Sequence, residues 1–365
     1  MTTAPAPRQV ATRRSPPNRR PQVICHDNLS NSHIVSELQQ LHEDFTPTPW
    51  LFNEHAQLIF HSLRKGGRRS QRGTLLYDHS EQLVMRDGGL TALYWCGHDL
   101  SPDTPTIVVL HTISGSPESM AELVRDLSQF TGWRVVLCLR RGHADLPLLT
   151  PRMSLFGCTD DLREQLAVIR VRLPESSLYA VGSSAGSGLL VRYLGEEGDA
   201  APFCASFAYC PGYDTDTSFD HVHPRYSRIM AKKLVRQFIT PNLERIAHMP
   251  TAQRLNAADD LAMLHRALYE LAGHDDYAAY DRASNPMHVF ANIRKPLMVL
   301  NAEDDPVCRI GNLEPWLDGM RQMPNIILVT TAEGSHCAHY EGWLARSWSA
   351  KLMSEYFQVM RGLSI

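Results

Sequence analysis

Leu178-Tyr-Ala-Val-Gly182-Ser-Ser184-Ala-Gly186 is the stretch that decides the fold of this chain. An apolar run leads into G-x-S-x-G, and Leu189-Leu-Val-Arg-Tyr-Leu194 follows with a helical pattern. A strand that turns directly into a helix around a serine is a nucleophile elbow. The turn strains the serine backbone, presents its hydroxyl above the sheet edge, and sets the first helical N–H groups beside it. Gly182 and Gly186 flank the turn because a side chain at either would collide with the neighbouring strand or helix. At roughly 7% usage of each residue, the motif arises by chance in about one chain in ten of this length. The partners therefore decide the reading.

Two later stretches supply them. Leu297-Met-Val-Leu-Asn-Ala-Glu-Asp304-Asp305-Pro306 ends a strand pattern with two adjacent aspartates, and Ile326-Ile-Leu-Val-Thr-Thr331 is a strand followed by Ala-Glu-Gly-Ser-His336. The chain order Ser, acid, His is that of an α/β hydrolase. All three groups follow strand C-termini, where open α/β sheets place their sites. A serine hydroxyl needs a base to take its proton. His336 is that base, and the acid fixes the imidazole tautomer and stabilises its charged form. Asp305 is the expected acid, since it lies farther beyond the strand and the loop turns at Pro306; Asp304 is then a solvated or capping neighbour. Asp214 and Asp216 are the alternative acids. His339 reads as a packing or surface residue, and His221-Val-His223 lacks a third ligand at metal-binding spacing. The oxyanion hole needs two N–H donors. They are expected from Ala185 and, in the loop His111-Thr-Ile113-Ser-Gly-Ser116, from Ile113.

Outward from these motifs, apolar strand patterns alternate with helical ones: Thr106–Leu110, Arg134–Leu139, Leu178–Gly182, Cys204–Cys210, Leu297–Ala302 and Ile326–Thr331. Near-continuous apolar strands separated by helices predict a mostly parallel sheet covered on both faces. Before them, two alternating runs flank Gly88-Gly89 and predict a hairpin over 83–95. Residues 213–296 show helical patterns (Tyr226–Phe238, Leu261–Leu271) and no convincing strand, so an inserted helical cap is expected there. Another helical pattern runs from Ser30 to about Leu41, and Arg64-Lys65-Gly-Gly-Arg68-Arg69 reads as a solvated basic loop. Residues 1–24 hold five arginines, several prolines and no acid. They read as a disordered arm, with an organelle transit peptide as the alternative. Residues 25–365 then form one hydrolase domain.

Composition agrees with a globular protein. Of 365 residues 43% are hydrophobic and 21% charged, and the net charge of −3 offers no field for nucleic acid. The eight cysteines include no C-x-x-C pair and read as reduced core thiols, which suits a cytoplasmic setting. No apolar run reaches the roughly 18–20 residues of a membrane span, leaving peripheral contact as the only membrane expectation. No cofactor or metal is expected.

The chain also resembles the α/β-hydrolase subfamily of bacterial YheT-like proteins, yeast medium-chain ethyl-ester synthase/esterases and animal ABHD lipases. The resemblance runs from about Pro47 to near the C-terminus. It rests on Thr48-Pro-Trp-Leu-Phe-Asn-Glu-His-Ala-Gln57, His111-Thr-Ile-Ser-Gly-Ser116, Arg141-Gly142, Gly157-Cys-Thr-Asp-Asp-Leu162 and Tyr193-Leu-Gly-Glu-Glu-Gly198. Tyr277–Ser284, Asn301-Ala-Glu-Asp-Asp-Pro306 and Gly334-Ser-His336 extend it. It implies an α/β-hydrolase sheet of about eight strands, a Ser184–Asp305–His336 triad, and acylglycerol or medium-chain fatty-ester substrates. Acyl transfer to alcohols is the nearest alternative, and a non-catalytic scaffold a remoter one. The chain departs from the family in carrying Thr112 where glycine is usual, Ala185 after the nucleophile in place of leucine, and Ser187 in place of a further elbow glycine.

Overall fold

A single sheet runs through the protein. The computed structural model describes residues 19–66 and 76–363. The strands are β1 (Gln22–Cys25), β2 (His79–Val84), β3 (Leu90–Cys96), β4 (Thr106–Leu110), β5 (Arg134–Leu139), β6 (Leu178–Ser183), β7 (Phe203–Tyr209), β8 (Leu297–Ala302) and β9 (Ile326–Thr331). Their order across the sheet is β1-β9-β8-β7-β6-β4-β5-β3-β2. Strands β4 to β9 are mutually parallel; at one edge β3 pairs antiparallel with β5 and β2 antiparallel with β3, and at the other β1 pairs antiparallel with β9. The hairpin expected around Gly88-Gly89 is β2–β3, and Gly88 supplies its positive φ of 81°.

The longer helices are α1 (Leu29–Glu37), α2 (Glu54–Gly66), α3 (Pro117–Thr131), α4 (Thr159–Arg172), α5 (Ala185–Glu197), α6 (Pro224–Leu234), α7 (Leu261–Ala267), α8 (Tyr277–Ser284) and α9 (Trp348–Leu363). Helices α1, α3 and α9 cover one face of the sheet, and α4 and α5 cover the other. This explains the continuous apolar strands. Ile107, Val108 and Val109 of β4 are fully buried, so successive side chains meet a helix layer whichever way they point. Each such burial contributes about 1.5–3 kcal/mol. Helix α3 shows how local sequence sets an element's ends. Ser116 and Ser119 form a reciprocal capping box, Pro117 occupies the first helical turn, and Gly132 ends the helix with left-handed backbone.

Among the described residues, no strand lies between β7 and β8. Helices α6 to α8 with several shorter turns fill the interval, and they share one apolar cluster with Ile113, Leu155 and Val307 from loops at the sheet edge. Helix α6 begins at Pro224, two residues before the sequence pattern places it, because proline suits the first helical position.

The end of the basic arm needs correction. Residues 1–18 lie outside the described residues, as do 67–75, which hold part of the basic loop. Gln22–Cys25, however, is a strand whose last residue pairs with Ile327 and whose first pairs with Thr330. Val23 and Cys25 pack against the core under α1 and α9. Burial of those side chains and a paired β9 edge outweigh the disorder that the arm's composition favours. The sheet accordingly has nine strands, the ninth coming from the arm.

Candidate active site

Helix α5 starts immediately after β6, and Ser184 is the hinge between them. Its φ of 52° and ψ of −118° are disfavoured for any residue with a side chain. The flanking glycines make this turn possible. A Cβ on Gly182 would stand 2.4 Å from the Gly186 carbonyl oxygen, and one on Gly186 would stand 2.1 Å from that of Leu110. Backbone atoms cannot yield at such distances, so both positions must be glycine.

His336 comes from a tight loop after β9. Gly334, Ser335 and Cys337 all have positive φ there. Asp304 holds the loop by accepting the Ser335 N–H at 2.7 Å, and the Ser335 hydroxyl donates to the Glu54 carbonyl at 2.8 Å. Burial pushes the Asp304 carboxyl up to about 7 despite that N–H bond. Asp304 is thus a loop cap rather than a partner of the imidazole.

The imidazole joins the two other residues. His336 Nδ1 donates to Asp305 Oδ2 at 2.8 Å, and the Ser184 hydroxyl is 2.9 Å from Nε2. Asp305 Oδ1 accepts the N–H groups of Val307 and Cys308 at 2.7 and 2.8 Å, so the carboxylate is fixed from both sides. Burial opposes charge on His336, but Asp305 and the Cys337 and Cys308 sulfurs outweigh it and hold the imidazole pKa well above its ordinary value. The arrangement can take the Ser184 proton and return it to a leaving group.

The other sequence candidates lie elsewhere. Asp214 accepts from Asn285 at 2.8 Å, and Asp216 accepts the Tyr277 hydroxyl at 2.6 Å. His339 is buried between Tyr209 and Thr331, bonded to both, and burial lowers its pKa to about 3. His221 bonds Asn312, and His223 caps α6. Neither belongs to a metal-competent cluster among the described residues.

The expected oxyanion donors face the same cavity as Ser184: Ile113 and Ala185 both line it. Among the described residues, no acceptor meets the N–H of either. Buried residues that sequence reasoning missed hold this loop from behind. Arg140 donates to the His111 and Thr112 carbonyls at 3.0 and 2.7 Å. His111 Nε2 accepts the Arg140 N–H, which leaves its Nδ1 to donate to the Thr112 carbonyl at 2.8 Å. His143 Nε2 lies 2.9 Å from the Ile113 carbonyl and its Nδ1 lies 3.0 Å from that of Arg141. Burial lowers its pKa to about 3, so the neutral ring donates to only one of them. With these carbonyls tied back, the Ile113 N–H keeps no partner among the described residues, while Gly115 and Ser116 donate theirs to the Thr112 carbonyl and the Ser119 hydroxyl. Neither Thr112 nor Ile113 has positive φ, so the β-branched Thr112 fits its backbone without left-handed strain. Only the cluster of basic residues at 140–143 hinted at this scaffold in the sequence.

The cavity beside Ser184 has a volume of about 280 Å³, and Phe156, Leu189, Phe219, Met230, Leu261 and Val307 form much of its wall. It opens between the sheet edge and the helical interval. No helix among the described residues is long and apolar enough to cross a membrane.

A parallel sheet with a serine elbow, and with an aspartate and a histidine at later strand ends, defines an α/β hydrolase. The comparisons place it more closely. Residues 101–342 match the family described as serine aminopeptidase, S33, and the chain belongs to that family, within its ABHD-like branch. It is 26% identical to the embryogenesis-associated protein EMB8 of Picea glauca, over 93% of this chain and 77% of that one. It is 28% identical to medium-chain fatty acid ethyl ester synthase/esterase 2 of Saccharomyces cerevisiae, over 70% of this chain and 62% of that enzyme. Human phospholipase ABHD3 is 24% identical over 94% of this chain and 85% of its own. Among solved structures, a bacterial membrane phospholipase A aligns with a TM-score of 0.51 and 16% identity, over 83% of this chain and 93% of that one. That likeness extends to the fold alone. The chain is a hydrolase of the lipase–esterase kind.

Proposed function

We propose that this hydrolase cleaves carboxylic esters of medium-chain or glycerol-linked fatty acids through an acyl-Ser184 intermediate. The observation that carries the reading is the unbroken relay from Ser184 Oγ to His336 Nε2 at 2.9 Å and from Nδ1 to Asp305 at 2.8 Å. His336 takes the hydroxyl proton as Ser184 attacks the ester carbonyl. The Ile113 and Ala185 N–H groups receive the oxyanion, and His336 returns the proton to the departing alcohol. Water activated by the same imidazole then releases the acid. The helical interval acts as a cap whose aromatic and aliphatic wall takes the acyl chain, in keeping with relatives named as lipases and esterases.

The acyl-enzyme is also open to alcohols. The yeast relative's double name, synthase and esterase, supports that second reading. Ethanol or glycerol added during turnover distinguishes the two: growing ester product at the expense of free acid marks transfer.

The central test is fluorophosphonate labelling together with p-nitrophenyl esters of graded chain length. Ser184→Ala is expected to abolish labelling and to lower kcat by about 10⁶-fold. Labelling that persists in the variant overturns the nucleophile assignment, and turnover blind to chain length overturns the acyl pocket.

A further inference from the structure

Cys210, Cys308 and Cys337 surround the imidazole of His336, and Cys210 and Cys337 touch each other. Cys210 follows β7, and Cys337 follows His336 itself. The Cys337 N–H donates to Cys210 Sγ at 3.4 Å. The two sulfurs and a ring nitrogen of His336 all lie within 4.8 Å of one another. Both cysteines have positive φ, 50° and 56°, so each thiol is held by a strained turn rather than by regular structure.

A buried thiol is ordinarily inert, and Cys138 is the contrast here: it is enclosed in the sheet, and burial drives its pKa far up. Cys337 differs because it lines a small cavity of about 50 Å³ that shares no lining residue with the substrate cavity. Lys65, His61, Thr112 and Ser183 share that lining. Burial works to raise the Cys337 pKa, but contact with Cys210 and the charges of His336 and Lys65 overcome it and bring the thiol down to about 7. Cys210 moves the opposite way, raised by burial and by Cys337. The two shifts run in opposite directions, favouring the thiolate at Cys337 and the thiol at Cys210, the pairing suited to an attacking and a resolving cysteine.

We propose that Cys337 is a modification site for small hydroperoxides, with Cys210 as its resolving partner, and that the disulfide they form switches off Ser184. The last clause rests on the triad reading above. The Cys337 thiolate attacks the terminal oxygen of the hydroperoxide and the O–O bond breaks, giving a sulfenic acid and an alkoxide that takes up a proton to become the alcohol, or hydroxide when the oxidant is hydrogen peroxide. The Cys210 sulfur then displaces hydroxide from the sulfenic sulfur, and water leaves with the Cys210 proton. Two thiols and one hydroperoxide become one disulfide, one water and one alcohol, or two waters when the oxidant is hydrogen peroxide. A disulfide brings its sulfurs to about 2.05 Å, so the Cys337 backbone is drawn toward β7. His336 shares a peptide bond with Cys337 and is carried with it. Displacing a catalytic group by about 1 Å costs about 10²-fold in rate.

The test uses the full chain and hydrogen peroxide, quenched with catalase. The expected result is a Cys210–Cys337 crosslinked peptide by mass spectrometry and a fall of about 10²-fold in ester turnover. Fluorophosphonate labelling of Ser184 should fall in parallel, and dithiothreitol should restore both. Cys337→Ala should keep its activity under peroxide. Cys210→Ala should leave a sulfenic acid at Cys337 that dimedone captures. The proposal is overturned if no crosslink forms, if it forms with turnover unchanged, or if Cys337→Ala is inactivated like the wild type. Should neither variant fold, the wild-type crosslink and its reversal decide the matter. If untreated protein neither labels nor turns over ester, the hydrolase reading fails, while the crosslink is still read by mass.

Discussion

His336 can act as a base only when its ring is neutral, and Asp305 makes that harder. The imidazole pKa lies well above its ordinary value because the Asp305 carboxylate outweighs the burial that opposes the charge. A raised pKa means the ring stays protonated to higher pH, so kcat/KM should lose activity as pH falls through a value above the ordinary histidine range. In Asp305→Asn the main influence raising that pKa is gone, and the acid limb should move to lower pH. The same change removes the group that fixes the tautomer, lowering kcat by about 10⁴-fold. A pH–rate profile of both proteins measures the two effects. A limb that stays in place would show that Asp305 does not set the imidazole charge. Ser184, Asp305 and His336 each follow a strand, so their positions were legible from local patterns and chain order. Asp304 was harder to place, because only the folded loop reveals the Ser335 N–H that it holds.

Among the elements, the loop after β4 depends on a residue of a different strand end. Arg140, just past β5, ties back the carbonyls of His111 and Thr112. It does not line the cavity beside Ser184, so in the proposed mechanism it is a positioning residue. Arg140→Gln should lower kcat by about 10²-fold, the loss expected when one oxyanion donor is misplaced, with KM and the pH limb of His336 little changed. Thermal unfolding of the variant separates this from simple destabilisation, and a matching rise in KM would argue against it. Nothing in the sequence joins position 140 to position 112, because the contact is made across neighbouring strands. The helical interval was legible for the converse reason. Its i, i+3, i+4 patterns are local, although the exact ends of α6 and α7 depended on Pro224 and on packing.

For the whole molecule, the informative element is β1. Proline and arginine density in the arm gives no sign of a strand, and four residues are too few to show a period. Only the unpaired edge of β9 makes Gln22–Cys25 a strand. Removing residues 1–25 should leave that edge open, lower the unfolding temperature and promote association at micromolar concentration. Light scattering and a thermal melt check both. Because β9 leads into the His336 loop, kcat should fall as well; a truncated protein of unchanged stability would make β1 dispensable.

That pairing also constrains how the protein comes into being. Gln22 meets Thr330, about 300 residues farther along the chain. During synthesis β1 must wait, unpaired, until β9 has left the ribosome. Contacts so distant in sequence form slowly, since the loop they close must be ordered first. The β9 edge of the sheet is therefore closed only after the other eight strands have been made, by the one made first among the nine.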